Sequence, residues 1–263
     1  MLKSLIIWLT YRCQFRCPYC REWSKANLYQ EVDDAESWIR ALNSLPPCSL
    51  DFTGGEPFLH PAIYNILRGL DHKHHVGVTT NLMALDLDRV FYRDMSWTLS
   101  FHPTQHTLPR FMKEALLIKE IFGAVTINYV AHRGQIASIP KIHNLFMSKG
   151  FRFHVDPDET HVYSEEEKST IEPYLARDRL TGRGDFFVGE KICDAGVHHA
   201  HVLPDGTMRR CYYNHETLGN LFKAYNLHTK PYNCQIDCGS GCDLDACEIR
   251  SLNGTIINTP QKK

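Results

Sequence analysis

Short runs of apolar and β-branched residues alternate along this chain with longer stretches in which apolar side chains recur every three or four positions. The short runs, at 4–10, 49–53, 76–80, 97–101, 125–130 and 151–155, predict strands. Helical spacing predicts helices over 33–44, 61–70, 86–94, 110–121 and 138–149, the last opened by Ser138 and Pro140 and stopped by Gly150. This rhythm is that of βα units around a parallel sheet. Six units are too few for a closed eight-stranded barrel, so the expected fold is α/β, a partial (β/α)6 TIM-like barrel. From about 160 the chain turns polar (Ser164-Glu165-Glu166-Glu167-Lys168), and Gly182-Arg183-Gly184-Asp185 reads as a linker. The expected division is a barrel domain over 1–186, a small cysteine-rich domain over 187–250, and a tail over 251–263.

In parallel βα folds the loops leaving the C-terminal ends of the strands build the site. Cys13, Cys17 and Cys20 follow the first strand, Gly54-Gly55-Glu56-Pro57 the second, and Thr80-Asn81 the third. His102-Pro103 follows the fourth strand and Asp156-Pro157-Asp158-Glu159 the sixth. All are expected at one mouth.

Composition narrows the chemistry. With 29 basic and 30 acidic residues and a net charge of −1, the chain sets up no field for nucleic acid or an anionic membrane. The apolar run Leu5 to Leu9 is too short for a signal-peptide core or a membrane span, so a cytoplasmic protein is expected. Ten cysteines in such a protein point to metal or cluster binding rather than disulfides. Three lie between 13 and 20, Cys48 stands alone and reads as a buried free thiol, and six fall between 193 and 247, which suggests two sites. Most of the fifteen histidines sit in polar runs and read as loop residues.

Three thiols spaced by three and then two residues let one tight loop wrap three corners of a cubane cluster. The fourth iron stays open for a substrate or cofactor. The alternatives for the triplet are a zinc site, for which no fourth ligand lies at finger-like spacing, and a closed structural cluster. The segment from Cys13 to Cys20, with Tyr19 before the last cysteine, resembles the signature loop of the radical S-adenosylmethionine superfamily. Gly54-Gly55-Glu56-Pro57 at the end of the second strand resembles that superfamily's GGEP segment.

The resemblance covers roughly residues 4 to 160. It implies a [4Fe-4S] cluster on Cys13, Cys17 and Cys20, and a hydrogen bond from the Gly54–Pro57 segment to the amino group of S-adenosylmethionine. It also implies polar contacts to ribose and carboxylate from Thr80, Asn81, Ser100 and Asn128, and adenine against the backbone around Tyr19. The implied chemistry is reductive cleavage of S-adenosylmethionine to a 5′-deoxyadenosyl radical that abstracts hydrogen. A flavodoxin- or ferredoxin-type partner would supply the electron.

Cys193 and Cys211 flank a Pro204-Asp205-Gly206 turn, the pattern of a hairpin with a cysteine at each end. With Leu218-Gly219-Asn220 behind it, this segment resembles the SPASM and twitch extensions that carry auxiliary clusters. The later spacing, Cys234, Cys238, Cys242 and Cys247, departs from the full SPASM array. The resemblance therefore implies one auxiliary [4Fe-4S] cluster on Cys193, Cys211 and two of Cys234, Cys238 and Cys242, with Cys247 last in order; a zinc knot is the alternative. Such a cluster could take up an electron, ligate substrate or stabilise a small domain.

Base candidates near the mouth are His102, His154, Asp156 and Glu159. The expected function is a radical S-adenosylmethionine oxidoreductase that dehydrogenates a small polar metabolite, a reading suited to a short chain beginning directly at its first strand. One alternative is epimerisation or cross-linking of a ribosomally made peptide. Another is a non-catalytic iron–sulfur or zinc protein.

Overall fold

The protein is described by a computed structural model over residues 2–20, 22–90, 95–158, 160–175, 191–234 and 247–249. Six parallel strands lie side by side in chain order: β1 (Ser4–Thr10), β2 (Ser49–Gly54), β3 (His75–Thr80), β4 (Met95–Phe101), β5 (Val125–Ala131) and β6 (Arg152–Pro157). Between and after them run α1 (Ala35–Asn43), α2 (Ile63–Gly69), α3 (Leu108–Phe122), α4 (Ile139–Ser148) and α5 (Glu165–Ile171).

The expected helix over 86–94 is replaced by a 3-10 turn, Leu87–Arg89, with 91–94 outside the described residues. Here the Asp86 carboxylate accepts from the Asp88 N–H, the local bond by which Asp favours a turn over a helix. The tyrosine hydroxyl of Tyr64 also accepts from the Asp86 N–H at 2.7 Å. None of the helices in the described residues is long and apolar enough to cross a membrane.

Past residue 187 come β7 (Lys191–Cys193), β8 (His199–Val202), β9 (Thr207–Arg209), β10 (Thr217–Asn220), β11 (Tyr232–Cys234) and β12 (Cys247–Ile249). The main sheet has nine strands in the order β10-β9-β8-β1-β2-β3-β4-β5-β6, and β11-β7-β12 form a second, small sheet. Thus β8 pairs in parallel with β1, from Ser4 opposite His199 to Ile7 opposite Val202. Without β8, the almost wholly buried β1 would expose an unpaired edge. β8 and β9 form the expected hairpin, turning at Gly206 with φ +80°.

Alternation along the strands separates two environments. One face carries Leu5, Ile7, Leu50, Phe52, Val78, Leu99 and Ile127, buried in a continuous core with Trp38, Ile66, Phe111 and Phe146 from the helices. On the opposite, inner face, register aligns Ser100 with Asn128 and Asn128 with His154 in one row across β4, β5 and β6. A polar row there marks the side of the sheet open to a ligand.

Ile7 and Val202 face each other across β1 and β8, both fully buried. Ile7→Ala is expected to lower stability by about 2–5 kcal/mol, and Val202→Ala by roughly 1.5–3 kcal/mol. In denaturant titrations both should shift the same cooperative transition. A separate transition that responds to Val202→Ala alone would show that β8 is not integral to the sheet.

Candidate active site

After Thr10 the chain folds back over the end of β2. The N–H of Gly55 donates to the Thr10 carbonyl, and that of Glu56 to the Arg12 carbonyl, both at 2.8 Å. A Cβ on Gly55 would lie 2.2 Å from the Arg12 oxygen, and one on Gly54, whose φ is +128°, 2.3 Å from the Thr10 oxygen. The two glycines are therefore demanded by backbone packed on backbone: β2 ends against the cysteine loop itself.

Glu56 is fully buried. Its carboxylate accepts from Thr80 Oγ1 at 2.8 Å, the Asn81 N–H at 2.8 Å and the Phe58 N–H at 3.2 Å. Burial outweighs these three donors and lifts its pKa to about 7. Glu56 thereby ties the end of β2 to the end of β3, and Pro57 opens the 3-10 turn Pro57–Leu59 that follows. Asn81 continues the network. Its Oδ1 accepts from Gln14 Nε2 at 2.7 Å, and its Nδ2 points at Cys13 Sγ at 3.6 Å.

Burial raises the pKa of Cys13, Cys17 and Cys20, Cys17 to about 11, and neighbouring thiols add to the rise at Cys13 and Cys17. Such thiols stay protonated until a cationic guest displaces the protons. Their sulfurs also face donors: the Phe15 N–H on Cys13 at 3.4 Å, and the N–H groups of Glu22 and Trp23 on Cys20. Among the described residues, the grouping whose metal-type ligand atoms all fall within 4.8 Å of one another is Glu31, Asp33 and His60, not the three thiols. At least one pair of the sulfurs therefore lies farther apart than the roughly 3.8 Å edge of a single tetrahedral zinc–thiolate site, built on Zn–S bonds of about 2.3 Å. Width, loop wrapping and N–H donors to sulfur fit an iron–sulfur cluster. Glu31 is already engaged by Thr10 and Arg12, and Nδ1 of His60 accepts from the Ala62 N–H, which leaves the proton of a neutral ring on Nε2. That trio suits a hydrogen-bonded cluster better than a cation.

The remaining expected residues separate into two groups. Thr80 and Asn81 are buried and occupied by Glu56 and the cysteine loop. Asn128 presents a buried Oδ1 with no partner among the described residues, beside Ser100 and His154. His154 Nε2 lies 3.8 Å from Asp156 Oδ2. His102 lies 2.8 Å by Nδ1 from the Tyr19 hydroxyl, and desolvation takes its pKa down to about 3. This geometry gives His102 a contact with the loop rather than a base facing the mouth. Glu159, Cys238 and Cys242 lie outside the described residues.

Cys193 and Cys211 come together in a small apolar cluster with Ala195 and Tyr232. The Ala195 N–H reaches Cys193 Sγ at 3.4 Å, and the Asn214 N–H reaches Cys211 Sγ at 3.1 Å. In the small sheet Cys193 pairs with Tyr232 on one side and Cys247 on the other, while Cys234 pairs with Lys191. Register therefore brings Cys247, last in the order read from spacing, next to Cys193. Sequence reasoning also missed Gln14, His106 and the bridge from the Tyr212 hydroxyl to Glu22 Oε1 at 2.8 Å. Adjacency to Cys13 was the available signal for Gln14. Nothing in the spacing announces Glu22 and Tyr212, which are 190 residues apart.

Gly55→Ala should push the cysteine loop off β2, so that the purified protein takes up markedly less iron at the first site; unchanged iron content would show that the loop tolerates the displacement. His201, buried against Trp8 and Tyr212, has its pKa held down to about 3 by desolvation, from an ordinary 6.5. Between those values the unfolded chain binds a proton that the folded chain refuses. Its contribution is thus complete above pH 6.5 and falls as pH drops through the window. Between pH 7 and pH 5 the loss from this group is on the order of 2 kcal/mol. In denaturant titrations His201→Phe should flatten the acid slope by that amount, and an unaltered slope would exclude His201 as its source.

No family model matches the chain. Over 161 residues it is 26% identical to PqqA peptide cyclase of Granulibacter bethesdensis, an alignment covering 53% of this chain and 42% of that protein. The chain therefore spans less than half the length of that curated relative. Among solved structures, native anSMEcpe with bound AdoMet and Cp18Cys peptide superposes with a TM-score of 0.62 at 16% identity, over 86% of this chain and 79% of that one. Streptococcus suis SuiB superposes with a TM-score of 0.64 at 18% identity, over 85% and 64%. The fold is the one these proteins share. Cysteine loop, Gly54–Pro57 turn, partial barrel and relatives together bear out the resemblance to the radical S-adenosylmethionine superfamily.

Proposed function

We propose that this protein is a radical S-adenosylmethionine enzyme that modifies a peptide. The observation that carries the reading is the seat of the three-cysteine loop: Gly54 and Gly55 hold its backbone, while N–H donors face the sulfurs of Cys13 and Cys20. The similarity to a PqqA peptide cyclase and the fold shared with the peptide-bound anSMEcpe structure support a peptide over the small polar metabolite expected from sequence.

When bound, a [4Fe-4S] cluster with S-adenosylmethionine supplies a 5′-deoxyadenosyl radical that takes a hydrogen atom from substrate. The chain does the rest. Cys13, Cys17 and Cys20 would hold the cluster, and Glu56 keeps the ends of β2 and β3 together. Ser100 and Asn128 offer polar contacts from the inner face, with the free Oδ1 of Asn128 as the acceptor. His154, beside Asp156, stands at the end of that row, where it can receive a proton leaving the substrate. Cys193 and Cys211, with two further thiols from Cys234, Cys238, Cys242 and Cys247, the last brought near Cys193 by register, would hold one auxiliary [4Fe-4S] cluster. A flavodoxin- or ferredoxin-type protein is the proposed electron donor.

Anaerobically reconstituted protein given dithionite and S-adenosylmethionine should release 5′-deoxyadenosine. The variant with Cys13, Cys17 and Cys20 all changed to Ala should lose one cluster's iron and sulfide and all release, while keeping the other cluster. A cluster-loaded wild type that makes no 5′-deoxyadenosine would exclude the enzyme and favour a non-catalytic iron–sulfur protein.

A further inference from the structure

The ends of three strands converge on one ring in the cysteine loop. Tyr19 lies between His102, just past β4, and His132, just past β5, with ring centroids 5.9 and 5.1 Å away. His132 is itself held by Asp158, past β6, through Nδ1 and Oδ2 at 2.8 Å. His102 meets the phenol directly, Nδ1 to hydroxyl at 2.8 Å, and the same hydroxyl also bonds Cys17 and Thr104.

His102 is anchored in its turn. Its carbonyl accepts from the N–H groups of Gln105 and His106, and its own N–H donates to Nδ1 of His106 at 3.2 Å. His106 is buried and reaches the carbonyl of Asn81 through Nε2 at 2.8 Å. Asn81 grips the opposite end of the same loop through Gln14 and Cys13. Phe15 fills the space between, its ring 4.7 Å from that of His106 and 6.0 Å from that of His102. One network thus grips the cysteine loop at both ends, and His102 is its contact with the aromatic residue.

We infer that His102 is a positioning residue: through its bond to the Tyr19 hydroxyl it fixes the ring beside Cys17 and Cys20 in the orientation the loop needs to take up S-adenosylmethionine. This rests on the proposed function, since it presumes that the loop binds that molecule. His102 touches no substrate in this role, and its effect passes through Tyr19.

The test compares iron-loaded wild type with Tyr19→Phe, His102→Leu, His102→Asn and the double variant Tyr19→Phe/His102→Leu. Three quantities are read: iron and sulfide content, the Kd for S-adenosylmethionine, and the change that molecule causes in the electron paramagnetic resonance spectrum of the reduced protein. His102→Leu, which removes one hydrogen bond, should weaken binding roughly 3- to 10-fold, and Tyr19→Phe, which also removes the hydroxyl's bonds to Cys17 and Thr104, at least as much, with iron content unchanged. The double variant should be no worse than Tyr19→Phe alone, because the bond that His102→Leu removes is already gone there. His102→Asn, whose amide places a polar atom near the position of Nδ1, should restore binding and the spectral change. Wild-type affinity in His102→Leu, or losses that add in the double variant, would overturn the role. So would a fall in iron content that Asn does not rescue, the mark of simple packing. An iron-loaded wild type that does not bind S-adenosylmethionine would overturn this role and the proposed function together.

Discussion

The mouth of this protein is organised by one contact, the backbone of Gly54 and Gly55 pressed against the backbone of Thr10 and Arg12. No side chain fits between these segments, so the cysteine loop can leave β1 and still lie across the end of β2. From that contact the next residue, Glu56, drops into the interior and meets donors from β3, and Asn81 returns from β3 to Cys13. The loop is thereby tied to two strands beyond its own. Three thiols on an unsupported loop would scatter under their mutual repulsion once ionised. Here they are held on a frame whose polar groups are paired.

Much of this was legible because each signal is local. The six strands appear within two residues of the runs that predict them, since the positions of each strand that face the core must be apolar. The cysteine spacing and the GGEP segment located the loop and its neighbour for the same reason. What a motif could not convey is the partner of each group. Gly54 and Gly55 read as part of a segment that meets a ligand's amino group, whereas their tightest approach is to the protein's own loop. His102 read as a base by its place after β4, whereas its imidazole meets Tyr19. Residue type shows which chemistry is available, and only packing shows what has already used it.

The C-terminal segment was least legible, because its strands are short and carry polar residues. His199-Ala200-His201-Val202 alternates polar and apolar residues over four positions only, too few to announce a strand, and periodicity cannot name the strand a segment will pair with. The decisive fact is long-range: β1 needs a neighbour on its outer edge, and β8 provides it. That pairing brings His201 against Trp8, and the Tyr212 hydroxyl bonds Glu22, two residues past Cys20. The two cysteine groups, far apart in the chain, are therefore linked through β1 and through Tyr212.

A distinction follows between the polar groups that build the mouth and those that remain for a ligand. Glu56, Thr80 and Asn81 are buried and bonded to one another or to the cysteine loop, so offering any of them to a ligand requires breaking a bond already made. Asn128 carries a buried acceptor with no partner among the described residues, and leaving such an atom unpaired costs about 1–3 kcal/mol. A donor arriving from a ligand recovers that cost, whereas one aimed at Glu56 must compete with three donors in place. The inner face of β5, which carries no recognisable motif, thus keeps an unpaired acceptor, whereas the carboxylate of the most conspicuous motif is fully engaged within the protein.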